Sequence, residues 1–151
     1  MTNHWLLRVG DGVHFINSSI QNIWGIDSKQ ACSKGFLNKV KEGDILWFVK
    51  SRSKGLLIAM VTFKSSNPRI IGPLINHSLT NKQLGWTESS CDWDTEVNYE
   101  NLYNITECEI YSNIKSPLTI RLYNEKCNVD LKQEYENIVR YSKVKKTMNT
   151  N

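Results

Sequence analysis

The amino-acid sequence predicts an α+β domain, a mixed sheet or small barrel decorated by helices. Three observations predict it. Apolar runs of strand length recur between breaks that carry Gly, Asn or Pro. One pair of these runs, Asp44 to Lys50 and Leu56 to Phe63, is joined by a polar turn with glycine. Helical spacing of apolar residues is confined to short segments and to the C-terminal stretch, with no regular strand–helix alternation.

Taken in order, His4 to Val9 (HWLLRV) reads as a strand ended by the turn Gly10-Asp11-Gly12. Val13 to Gln21 reads as a short helix with Val13, Ile16 and Ile20 along one side, and Asn22 to Ile26 (NIWGI) as a second brief strand. Ser28 is placed to cap a helix through Val40, although Gly35 interrupts it. DILWFVK, SRSKG and LLIAMVTF then make the hairpin. Asn67-Pro68 breaks the chain, Arg69 to Ile75 is extended or helical, and Thr80 to Leu84 is a polar loop. Trp93 to Tyr99 and Leu118 to Tyr123 alternate as half-buried strands do. Asp130 caps an amphipathic helix that runs to Tyr141, with Leu131, Tyr135, Ile138 and Val139 at helical spacing. Residues 1–142 are thus expected to form one domain and residues 143–151 a basic disordered tail.

A chain of 151 residues with 40% hydrophobic content, five Trp, six Tyr and four Phe can fill one core. No stretch approaches the ~18 apolar residues that read as a membrane span, and Arg8 and Asp11 interrupt the apolar start where a signal peptide needs a continuous block. The expected setting is intracellular, in cytoplasm or nucleus, without membrane association. Cys32, Cys91, Cys108 and Cys127 lack any C-x-x-C pairing or a nearby His at zinc spacing, and read as reduced thiols.

Net charge is +4, but its distribution is uneven. Between Lys29 and Arg69 nine Lys or Arg stand against Glu42 and Asp44, whereas Trp86 to Tyr111 holds seven acids and no Lys or Arg. A basic region on a near-neutral body suits a phosphate backbone, since each neutralised phosphate releases counterions; a solvated surface is the other reading.

No catalytic constellation stands out: there is no G-x-S-x-G, no phosphate loop, no H-E-x-x-H, and His4, His14 and His77 lie in unrelated contexts. The chain is expected to be a non-enzyme with no cofactor and no metal. Asp92, Asp94 and Glu96 alternate along a strand and read as its solvated edge rather than as metal ligands. Among the tryptophans, Trp5 and Trp47 sit inside strands and read as core. Trp24 and Trp86 each stand beside glycine at the edge of an element, where a ring can line a cavity. Rings so placed stack bases and favour alkylated or cationic groups.

With those residues in view, the N-terminal half resembles the EVE and YTH families of PUA-like domains. HWLLRVGD is similar to their opening strand, and the interval from Arg8 to Trp24 in NIWGI matches the one YTH domains keep between a basic residue and their first cage tryptophan. VKEGDILWFVKSRSKGLLIAMVTFKS resembles the EVE pattern of a V-G-D strand followed by a G-hydrophobic-A hairpin strand, and LGWTESSCDWDTEVNY supplies the later tryptophan. The resemblance spans residues 4 to 100. It implies a PUA-like mixed barrel or sheet with a C-terminal helix, and a reader of single, modified bases in RNA or DNA. Trp24 would be the first cage wall and Trp86 the second, with Trp93 a core alternative. Arg8, Val9 and Gly10 would line the pocket, and His14 would stand against the base. Gly25 and Val9 replace residues that donate or accept through side chains in YTH domains, so N6-methyladenine is not singled out over a modified cytosine or another base. Phosphates would lie along Lys34, Lys39, Lys41, Arg52, Lys54 and Arg69. The rival function is a protein-interaction module on the same fold, using the acidic 88–109 surface or the basic tail.

Overall fold

A continuous apolar run is stable as a strand where both of its faces are covered, and the first five residues of Ile45–Lys50 (β3) are buried on both. Because successive side chains point to opposite faces, Leu46 and Phe48 enter one apolar cluster with Trp5, Leu7 and Trp24. Ile45, Trp47 and Val49 enter a second with Leu6, Met60 and Leu131. The strand His4–Arg8 (β1) lies parallel to β3, with Trp5 opposite Leu46, and splits its residues between the same two clusters. The computed structural model of the chain describes residues 2–50, 55–69, 80–86, 93–109, 120–123 and 130–149.

The other strands are Ile23–Ile26 (β2), Leu56–Pro68 (β4), Thr95–Glu109 (β5) and Ile120–Leu122 (β6). They form one six-stranded sheet in the order β2-β5-β4-β3-β1-β6, antiparallel except for β1 with β3. Helices Val13–Ser19 (α1) and Ala31–Lys39 (α2) bring Phe15 and Phe36 to the first face, and Leu131–Asn149 (α3) brings Leu131, Tyr135 and Ile138 to the second. The result is an α+β fold in which a mixed sheet curls into a half-barrel. Register shifts recur along β4 and β5, between Leu57 and Ala59, Met60 and Thr62, and Phe63 and Ser65; such bulges bend a strand and tighten its twist. The expected hairpin is β3 with β4, its turn residues 51–54 falling outside the described residues.

Three local expectations are corrected. In α1 the aliphatic stripe Val13, Ile16 and Ile20 is exposed, and Phe15 and Ser18 face inward. A helix of two turns can bury one face, and the buried face carries Phe15, whose ring lies 4.2 Å from that of Phe48. Ser28 does not cap α2, which starts from Gln30; its hydroxyl donates instead to Asp94 Oδ2 (2.6 Å). Thr80 to Leu84 is not a loose polar loop. Thr80 N donates to Gln83 Oε1 (2.9 Å) and Gln83 N donates to Thr80 Oγ1 (3.1 Å), a capping box that winds one turn and buries Leu84. The last helix spans Leu131–Asn149. Its start is as predicted, with Asp130 Oδ1 accepting from Gln133 N (3.2 Å).

Asp44 ties the elements together. Its buried carboxylate accepts from Asn3 N (3.1 Å), Trp5 Nε1 (3.2 Å) and Lys41 N (3.1 Å), while its carbonyl accepts from Phe63 N on β4 (2.7 Å). Replacing Asp44 with Ala strands three donors and should cost about 3 kcal/mol in urea-induced unfolding. His4, also buried, accepts the Trp47 indole N–H on Nδ1 (3.0 Å), which fixes the neutral ring. Burial, helped by Lys132, holds its pKa below the ordinary 6.5 against the pull of Asp44 and Asp130. The unfolded chain therefore binds more protons, so this stability is complete above pH 6.5 and lost as pH falls below it. Melting temperature measured across pH 7.5 to 5 should drop on the acid side, and the drop should shrink in His4→Gln, whose amide oxygen accepts the same indole without titrating; equal slopes in the two proteins would contradict this account.

Candidate aromatic site

The site begins with a residue that has no side chain. Gly25 sits in β2 at the edge of the sheet, paired with Glu96 on β5. A Cβ there would stand 2.6 Å from Cη2 of Trp86, closer than such atoms approach, and 3.1 Å from Cβ of Trp93, a tight contact. Trp86 reaches this place from the capped turn at Thr80. Gly85, at φ +76, reverses the chain in a conformation that side-chain-bearing residues rarely adopt, and it abuts α1, where Asn17 Nδ2 donates to its carbonyl (2.9 Å). The Trp86 indole N–H then donates to the His14 carbonyl (3.0 Å), fixing the ring between α1 and β2.

Trp24 is the neighbour of Gly25 and points to the first core face, 6.1 Å from Phe15 and 6.3 Å from Phe48 between ring centroids. Its ring also meets Trp86 at 6.1 Å and 82°, and Trp93 at 5.4 Å and 44°. Trp86 and Trp93 meet at 4.9 Å and 86°, and His14 stands edge-on to Trp93 at 5.5 Å. Three indoles and an imidazole from four separate segments therefore share one cluster. Trp24 and Trp86 are 5% and 4% exposed, and Trp93 is half-buried. The expectation of two indoles facing one another across an open slot does not hold. A base sandwiched between parallel rings needs roughly 7 Å between them, and these rings pack edge to face, the arrangement their quadrupoles favour when nothing lies between.

A polar group lies against the indoles. The Arg69 guanidinium carbon is 4.9 Å from the centroid of Trp86, Nη1 donates to the Trp93 carbonyl (3.2 Å), and Nε lies 4.0 Å from Glu96 Oε1. Burial lowers the Arg69 pKa from its ordinary value, with Glu96 opposing. Glu96, read from sequence as part of a solvated edge, is buried at 6% exposure. Asp94 is also drawn inward: it accepts from Ser28 N (2.9 Å), the Ser28 hydroxyl and the Thr95 hydroxyl (3.1 Å). Burial raises its pKa, but these bonds outweigh that and leave it below the usual carboxylate value. Asp92 lies outside the described residues. Beneath the cluster, burial pushes the Tyr99 hydroxyl well above its usual pKa; its oxygen is buried without a hydrogen bond among the described residues.

Of the residues predicted for base binding, Trp24, Trp86, Gly25 and His14 come together, and Trp93 joins them as a wall. Val9 is buried with both main-chain groups committed, its N–H to Val49 O (2.9 Å) and its carbonyl to Gly12 N (2.9 Å), so they are engaged by the fold and not presented to a base edge. Gly10 is exposed with open space beside its Cα, and Arg8 is half-buried. Of the phosphate-binding candidates, Lys34, Lys39 and Lys41 are exposed on and after α2. That helix packs on β6, at the opposite edge of the sheet from β2. Arg52 and Lys54 lie outside the described residues. Arg69 is 8% exposed against Trp86, not on the surface where a phosphate contact was expected. The Arg69–Glu96 pair was missed because the register that sets Glu96 opposite Gly25 is not written in either segment. The one available signal was a lone glycine inside a strand, which marks close approach.

If Trp86 depends on the space at position 25, Gly25→Ala should overpack it by about 1–3 kcal/mol. It should also move the tryptophan emission to longer wavelength as the Trp86 ring leaves its seat. An unshifted spectrum with unchanged stability would show that the ring does not rest there.

The chain matches no protein-family model and no curated protein. Among solved structures, a hypothetical protein from Leishmania major is similar in fold: it superposes with a TM-score of 0.51 at 11% identity, over 97% of this chain and 98% of that one.

Proposed function

We propose that this chain is a PUA-like domain of the EVE/YTH type that captures a single base, modified by methylation, at the aromatic cluster of Trp24, Trp86 and Trp93. The observation that carries the reading is the convergence of these three indoles with His14 on the edge of one sheet, where Gly25 opens the backbone to them. A cluster of this composition is more than core filling requires: stacking on indoles is tolerant of base identity and contributes roughly 1–3 kcal/mol per base. No proton transfer is needed, and the domain acts as a reader, not as an enzyme.

Entry of a base requires Trp86 to turn from its edge contact with Trp24, or Trp93 from its tilted one. Extrusion from a duplex adds a few kcal/mol, so single strands or flipped bases are the preferred substrates. The exposed Lys34, Lys39 and Lys41 then supply salt-sensitive affinity for the strand. Since Gly25 carries no hydroxyl or thiol and Val9 is turned into the core, side-chain contacts that would single out N6-methyladenine are not supplied from those positions.

A protein-binding module is the second reading, and the exposed stripe Val13, Ile16 and Ile20 on α1, at 51%, 57% and 82%, favours it. Titrating intrinsic tryptophan fluorescence with methylated and plain nucleosides separates the two. Under the reader hypothesis one methylated nucleoside quenches selectively, and Trp24→Ala removes that selectivity while leaving part of the salt-dependent affinity for single strands. Flat titrations with every nucleoside would favour the module; selectivity unchanged in Trp24→Ala would place the pocket elsewhere.

A further inference from the structure

The chemistry of the cluster narrows what it takes, on the premise that it is the base-binding site. Gly25 and Glu96 are register partners in adjacent strands, so Glu96 projects to the same sheet face on which Trp86 and Trp93 lie over Gly25. Its side chain is 8% exposed, and Oε1 is buried without a hydrogen bond among the described residues. A carboxylate so placed is costly unless both its charge and its lone pairs are answered. The charge is answered by Arg69; the Oε1 lone pairs are not, because 4.0 Å from Nε is beyond hydrogen-bond reach.

Arg69 itself is the second observation. Its guanidinium is planar, cationic and edged with N–H groups; it lies over the Trp86 ring at 4.9 Å, with Nη1 donating to the Trp93 carbonyl and Nε 4.0 Å from Glu96 Oε1. A flat cation on an indole beside a carboxylate is also a description of a nucleobase carrying a fixed positive charge from N-alkylation. We propose that the Arg69 side chain occupies the ligand's seat, and that the ligand is a cationic N-alkylated purine with N–H donors on one edge, the class represented by 7-methylguanosine, stacked on Trp86 and donating to Glu96 Oε1.

Charge balance argues for the cation. A neutral base that displaced Arg69 would leave Glu96 ionised and buried with no counter-charge, whereas a purinium exchanges one planar cation for another. Donor count argues for guanine-like edges: adjacent N1–H and N2–H groups match the two oxygens of a carboxylate in the paired geometry that charge-assisted hydrogen bonds favour. Trp is the strongest of the aromatic partners for a cation. Burial disfavours the charged form of Arg69 in its present place, which eases its departure to solvent.

The test uses the full chain and fluorescence titration with guanosine, 7-methylguanosine, adenosine, N6-methyladenosine and uridine, repeated for Glu96→Gln and Arg69→Met after a melting curve on each. The expected result is a preference for 7-methylguanosine over guanosine on the order of thirtyfold, the worth of a desolvated cation–π contact. Glu96→Gln, which keeps the side chain's shape, should lose roughly tenfold of that preference, and Arg69→Met should bind 7-methylguanosine more tightly than the unaltered chain. Equal binding of guanosine and 7-methylguanosine, or a preference untouched by Glu96→Gln, overturns the inference while quenching by any other nucleoside leaves the base-reader proposal standing. Silence with every nucleoside in both the unaltered chain and Arg69→Met removes both. Should Arg69→Met fail to melt cooperatively, Glu96→Gln decides alone.

Discussion

The ring of Trp86 lies where a Cβ at position 25 would have to be, and the rest of the site follows from that contact. With Gly25 bare, an edge strand accepts an indole directly onto its backbone. The indole N–H then reaches the His14 carbonyl and draws the first turn of α1 against the cluster. The same ring is the surface on which the Arg69 guanidinium rests, and Arg69 in turn brings Glu96 under cover by charge. Four segments are fixed by one missing side chain. A larger residue at 25 would not merely crowd Trp86; it would remove the platform for the cation and the reason for the carboxylate to be buried.

This arrangement is possible because the sheet is covered on both faces and curled. Its centre, β1 and β3, spends its alternating residues on two cores, with Asp44 binding the start of β1 to the turn that precedes β3. The centre is therefore rigid in composition and in hydrogen bonding. The edge at β2 is different. It is four residues long, it carries a glycine, and its cover comes from side chains delivered by distant segments. Short protected edges of this kind are how sheets avoid pairing with other chains, and they are also where a ligand can replace cover that the protein itself supplies.

Much of the fold was legible because strong patterns were local. The uninterrupted ILWFV run, the glycine-bearing hairpin turn and the Asp130 cap each specify structure within a few residues; β3 and the start of α3 lie where they were read, while β4 starts where it was read and continues past Phe63 through the expected break to Pro68. The parallel pairing of β1 with β3 was not legible, since nothing in either strand names its neighbour. In α1 the aliphatic stripe was the stronger periodic signal and still faced outward, because two flanking aromatics made Phe15 the better residue to bury. For the site, Trp24 and Trp86 beside their glycines were a true signal of convergence, but the closed edge-to-face packing was not. Ring orientation depends on what lies between the rings, which only the assembled cluster decides. Glu96 and Arg69 were misread as surface groups for a related reason: each looks solvated until its partner, 27 residues away, arrives beside it.

The closed cluster also sets the scale on which any ligand must compete. Aromatic pairs of this geometry contribute about 0.5–1.5 kcal/mol each beyond area burial, so opening the contacts among Trp24, Trp86 and Trp93 forfeits an amount comparable with the ~1–3 kcal/mol that one stacked base returns. Under the proposed reading, the affinity of a free nucleoside is its intrinsic affinity reduced by the small fraction of molecules that are open. The balance is then decided by terms that the cluster does not supply by itself: contact of exposed lysines with the phosphates of a strand, and a ligand charge that meets Glu96 as Arg69 does. A plain base offers stacking alone and leaves the carboxylate unanswered. Selectivity in such a site arises less from how well the indoles grip than from what must be put back when the protein's own cation is moved aside.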